Sequence, residues 1–142
     1  MGGRGAYLQK GGFSYQEYEA TGETINGIKV IKHKTRPNAS LPEMSNTPGA
    51  VYILHNPVGY KQLGIYGKDR RLKKTMEFMH GHKQKINGKK VHLKRGVVHV
   101  HNHKGGRSNN VRYMNKREIK KYGSVLSKMG GVIVEWNLRD YK

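Results

Sequence analysis

Apolar and polar residues alternate at a period of two through much of this chain, and a helical period replaces it only near the end. In ETINGIKVIKH, Asn26-Gly27 is a two-residue hairpin turn, and Ile28, Val30 and Ile31 after it predict a strand. KTRPNASLPEMSNTPG holds three of the four prolines and reads as a long connection. AVYILH (Ala50 to His55) is a short apolar strand, NPVGY a turn, KQLGIYG a further strand and KDRR another turn. LKKTMEFMH alternates enough for a fourth strand, in which Met76 and Phe78 share a face with His80 and His82 if the strand runs that far. A second Asn-Gly turn stands at Asn87-Gly88. RGVVHVHNH is the next strand and KGGRSNN a polar loop.

NKREIKKYGSVLSKMGG then changes period. Asn115 is placed to cap a helix, with Glu118 three residues on as a capping box requires. Ile119, Tyr122, Leu126 and Met129 fall on one face, and Gly130-Gly131 ends the helix. VIVEW predicts a last strand. The sum is an α+β fold: a mainly antiparallel sheet with one C-terminal helix packed on it, followed by that strand. Residues 1–20 are Gly-rich and lack a buriable pattern, so they read as a flexible arm, with residues 21–142 as a single basic α+β domain.

Composition sharpens this. The chain has 142 residues, of which 35% are hydrophobic, enough for one modest core. Lys and Arg number 28 against nine Asp and Glu, a net charge of +19. Self-repulsion at that level opposes compaction and is relieved by a polyanion, nucleic acid before an anionic membrane or an acidic protein. Without cysteine there is no disulfide or thiolate chemistry, and a metal must rest on His and carboxylates. No run approaches the ~18 apolar residues of a membrane span, and the first residues lack a signal peptide's apolar stretch. The expectation is a soluble protein of the host-cell cytoplasm, or of a virion.

The charge is concentrated. From Phe78 to Arg117 there is no Asp or Glu, while eleven Lys or Arg and six of the eight histidines stand there. The predicted nucleic-acid contacts are Lys83, Lys85, Lys89, Lys90, Lys94, Arg95, His103, Lys104, Arg107, Arg112, Tyr113, Lys116 and Arg117, with Tyr113 stacking on a base. Gly105-Gly106 permits a close approach of phosphate to backbone amides. On a strand His99, His101 and His103 point one way, about 7 Å apart, and Val98 and Val100 point the other way, toward the core. That row admits three readings. The imidazoles contact phosphate and bases directly. Or His80, His82, His99 and His101 chelate a metal, zinc above all, although the block offers no carboxylate and HVHNH lacks the Asp of metallo-β-lactamase-type motifs. Or His99 and His101 act as general base and acid on RNA, with Arg107 stabilising the phosphorane and no metal or other cofactor needed.

Two stretches carry a resemblance. MGGRGA at the start resembles small proteins encoded beside head-morphogenesis genes of phages of Gram-positive hosts. KQLGIYGKDRRLKKTMEFMHGHK, with HVHNH after it, resembles a module shared by such phage proteins and the tails of some polymorphic toxins. Gln62, Tyr66, Asp69, His80, His99, His101 and His103 occupy its characteristic places, and the match covers Lys61 to Lys104. Members usually carry a Pro-His pair in the cluster, whereas this chain has no proline after Pro57. The resemblance implies a phage or mobile-element origin and, through toxin tails that look like small metal-independent RNases, a ribonuclease activity. The main expectation is therefore a phage-type basic nucleic-acid-binding protein acting on RNA, DNA or a host ribonucleoprotein. A histidine-based ribonuclease and a virion protein that binds genome or capsid are the alternatives.

Overall fold

A computed structural model describes residues 17–86, 89–104 and 107–136; for residues 82, 84–86, 89, 91, 104 and 107–110 it describes the backbone alone. Among the described residues nine strands precede one helix: β1 (Tyr18–Ile25), β2 (Ile28–His33), β3 (Val51–Asn56), β4 (Gly59–Tyr66), β5 (Leu72–Glu77), β6 (His82–Ile86), β7 (Lys89–Leu93), β8 (His99–Lys104), β9 (Arg107–Tyr113) and α1 (Lys116–Met129). Seven of them form one sheet in the order β1-β2-β3-β4-β5-β8-β9, and β6 and β7 form a separate two-stranded sheet. All neighbours are antiparallel except β2 and β3, which the Pro-rich connection joins in parallel. The α+β class expected from the periodicity is what the chain adopts.

The Asn26-Gly27 turn takes positive φ at both residues, 51° and 79°, as a right-handed-twisting hairpin demands, and Ile25 pairs with Ile28 across it. The helix begins at Asn115, whose side chain accepts from the Glu118 amide while Glu118 accepts from the Asn115 amide. It ends at Gly130, φ 113°, in the left-handed conformation. Between these caps Tyr122, Val125, Leu126 and Met129 are buried against one face of the sheet, on Val30, Ile53, Leu63, Met76 and Val100. The opposite face holds Tyr18, Ile31, Leu54 and Tyr66, covered by Leu41 from the β2–β3 connection. Gly64 lies beneath that cover: a Cβ there would collide with the Leu41 side chain.

Four expectations change. Tyr18–Ala20, assigned to the arm, open β1, and Tyr18 is buried; residues 1–16 of the arm and Asn87-Gly88 lie outside the described residues. β5 ends at Glu77, so His80 does not continue the face of Met76 and Phe78 but sits in a bend after the strand. Arg107–Tyr113, within and beyond the expected polar loop, is the edge strand β9; pairing to β8 supplies what its polar sequence does not advertise. After the helix, residues 132–136 make only single bridges, Val97 to Val132 and Met114 to Glu135, so the last strand is not formed among the described residues. No helix among them is long and apolar enough to cross a membrane.

Candidate functional site

Antiparallel pairing of β5 with β8 puts Glu77 opposite His99 and Thr75 opposite His101. The neighbouring registers, Leu63 with Met76 and His99 with Tyr113, extend this into a row of facing positions across four strands: Gln62, Glu77, His99, Tyr113. All four side chains are buried. Val98 and Val100 fill the helix-side core as expected. The histidine face is closed at its inner end, where His99 has no exposed surface, and only partly covered at His101 and His103.

Glu77 is the centre of the site. Its Oε1 lies 3.0 Å from His80 Nε2, 3.4 Å from His101 Nε2 and 3.8 Å from His99 Nε2. Its Oε2 accepts from Gln62 Nε2 at 2.8 Å, and Gln62 Oε1 in turn accepts from the Leu41 amide at 3.1 Å. The glutamine thus orients the carboxylate and ties it to the loop covering that face. His99 Nδ1 lies 3.3 Å from the Val97 carbonyl, which can only accept, so that nitrogen carries a proton. His80 arrives from the bend rather than from a strand, through an i, i+3 return to Glu77. Burial raises the pKa of Glu77, but the facing imidazoles of His101 and His99 and the Gln62 amide outweigh it and hold the carboxyl well below the usual carboxylate range. The group is an anion at neutral pH.

One donor atom from each of Glu77, His80, His99 and His101 falls within 4.8 Å of every other, so the four can hold a metal ion. Of the four metal candidates read from the sequence, this unites His80, His99 and His101; the side chain of His82 lies outside the described residues. The carboxylate missing from the acid-free block is supplied by Glu77, one residue before that block begins. Acid–base cleavage by His99 and His101 fits less well. His99 touches no solvent, and all three imidazoles aim Nε2 at a carboxylate, which repels a phosphate. Only His80, with a side chain 56% exposed, opens broadly to the surface. His103 is apart from the group, half-buried and 3.0 Å from the Thr75 hydroxyl.

The expected nucleic-acid contacts divide. Lys83, Lys90, Lys94, Arg95, Lys116 and Arg117 are exposed. Lys83, Lys94 and Arg95 line an open groove with Gly81, His92 and Leu93, next to the bend that carries His80. Arg112 instead holds Glu118 through two hydrogen bonds of 2.7 and 2.9 Å. Tyr113 is buried against Leu93 and Trp136, and its hydroxyl accepts from the Lys94 amide, so it does not present a ring for base stacking. The side chains of Lys85, Lys89, Lys104 and Arg107 lie outside the described residues, as does Gly105-Gly106.

Two members of the site escaped a reading of residue types and spacing. Glu77 had a signal, its position three residues before His80 at the edge of the basic block. Gln62 is placed by the module resemblance alone; nothing in its surroundings marks a buried partner. Compared with known proteins, the chain matches no family model, no curated protein and no solved structure.

Proposed function

We propose that this chain is a basic nucleic-acid-binding protein of phage type, and that the groove between the His80 bend and β7 is its phosphate-tracking surface. The observation that carries the reading is the set of unneutralised cations there. Lys83, Lys94 and Arg95 make no ion pair with any described residue. By contrast Glu17, Glu19, Asp69 and Glu118 are engaged with cations elsewhere, and Glu77 with histidines. A net +19 with these five acids engaged away from the groove leaves a field for a polyanion to satisfy. The partner is RNA or DNA, free, in a ribonucleoprotein or in a virion.

Fluorescence anisotropy with labelled RNA and DNA tests this. If about six phosphates are neutralised, affinity falls roughly 10³-fold between 50 and 200 mM salt. Lys83→Glu, Lys94→Glu and Arg95→Glu together abolish binding. An equal charge reversal at Lys29, Lys32 and Lys73, away from the groove, costs far less. Affinity that is flat with salt, or a control that loses as much, overturns the assignment. The same samples run on a gel with and without EDTA report cleavage; RNA cut in both lanes revives the metal-independent ribonuclease reading.

A further inference from the structure

We propose that Glu77, His80, His99 and His101 form a tetrahedral zinc centre that fastens the bend after β5 onto strand β8. The inference stands independently of nucleic-acid binding. Zinc bonds to imidazole nitrogen and carboxylate oxygen are about 2.0–2.2 Å long, which makes the edge of a regular tetrahedron roughly 3.4 Å. The three separations from Glu77 Oε1 to the imidazoles are 3.0, 3.4 and 3.8 Å, and bracket that edge. An ordinary hydrogen bond of a carboxylate with one imidazole does not require three Nε2 atoms to crowd one oxygen. A shared ion does.

The surrounding shell supports the same assignment. A zinc-bound histidine needs one nitrogen bare and the other donating its proton to an acceptor. The Val97 carbonyl is placed to take the Nδ1 proton of His99, which leaves Nε2 as its donor atom. Gln62 occupies Oε2 of Glu77, so the carboxylate offers the metal Oε1 alone, and the Leu41 amide fixes Gln62 in turn. With no thiolate in the chain, three imidazoles and one carboxylate are a borderline donor set that suits zinc in tetrahedral geometry. Four protein ligands complete the shell, as in structural sites. Three of them sit on the paired strands; the fourth, His80, comes from the bend and leaves an open side by which the ion can arrive. The centre thereby holds Gly81 against Leu93 and Arg95, where the basic groove begins.

The test uses the untagged full-length protein, stripped with a chelator and titrated with zinc or with cobalt(II) as a spectroscopic probe. Elemental analysis should give one zinc per chain as purified. Cobalt should produce the intense visible bands of a tetrahedral site. Chelation should lower Tm by at least about 5 °C, and zinc but not magnesium should restore it. Glu77→Gln and His80→Ala should each weaken zinc binding at least ~10-fold. Gln62→Ala should weaken it while keeping the one-to-one stoichiometry and shifting the cobalt spectrum, as expected of a positioning residue. His55→Ala should change nothing. His80 is exposed, so His80→Ala keeps its fold by circular dichroism and stays interpretable if a core variant does not. Folded wild-type protein that binds no zinc and gives no tetrahedral cobalt spectrum overturns the proposal. So does zinc affinity that His80→Ala and Glu77→Gln leave unchanged.

Discussion

At Glu118 four donors meet one carboxylate. Arg112 takes both oxygens, Lys74 adds a 2.8 Å ion pair from β5, and the Asn115 amide completes the capping box. Burial raises its pKa, but the Arg112, Lys74 and Asn115 contacts prevail and bring it to about 2, below the ordinary 4.5. A carboxylate depressed in the fold stabilises it fully above its unfolded pKa and loses that contribution as pH falls toward the folded value. The window is therefore between pH 4.5 and about 2. Glu118→Gln should cost up to about 3 kcal/mol in urea unfolding at pH 7, and the gap to wild type should close near pH 2. A gap that stays constant with pH would contradict the account. The Asn115–Glu118 pair was legible in the sequence because a capping box is local, three residues apart. The ion pair with Lys74 was not, because it spans 44 positions and depends on where β5 lies. Glu77 has the same character: its partners His99 and His101 come from a strand more than twenty residues on, and only the sheet order joins them.

Among the elements, the bend after β5 packs closely on strand β7 and the residues that follow it. A Cβ on Gly81 would stand 2.7 Å from the Leu93 carbonyl oxygen and 3.4 Å from the Arg95 amide. Backbone cannot swing aside as a side-chain tip can, so Gly81→Ala should cost roughly 1–3 kcal/mol, read as a drop in urea midpoint. On the two proposals above, zinc and nucleic-acid affinity should fall with it, since the contact borders both the cluster and the groove; unaltered stability would mean that the bend does not press on β7. Elements with a strong internal pattern were readable: the Asn26-Gly27 hairpin, β3 and α1 all carry their own turn, cap or apolar run. β9 was not. Arg107-Ser-Asn-Asn has no apolar alternation, and it becomes a strand because β8 offers it an edge. VIVEW failed in the opposite sense. Its apolar residues suit a strand, yet Val132 and Val134 remain exposed and only single bridges form.

For the whole molecule, charge is the dominant long-range force. With +19 on 142 residues, repulsion between cations should be screened as salt rises, since the Debye length shrinks from about 30 Å at 0.01 M to 10 Å at 0.1 M. Tm should rise by several degrees over that range of NaCl, and sucrose at matched osmolality should not reproduce the rise. A Tm indifferent to NaCl would mean that the charges are too well separated to strain the fold. That charge was plain from composition; its division into cations held by carboxylates and cations left to solvent required the sheet. The sheet order also has a consequence for variation. β5 and β8 are direct partners, so β6 and β7, which lie between them in sequence, are an excursion hung between two ladder neighbours. Such a segment behaves as a cassette. Its outer reach should tolerate shortening or exchange for a foreign hairpin, provided Leu93 stays packed against Tyr113, with the seven-stranded frame keeping its register. On the function proposed above, a library grafted there should yield folded proteins with altered polyanion preference, and this hairpin would be the place where one scaffold is retargeted.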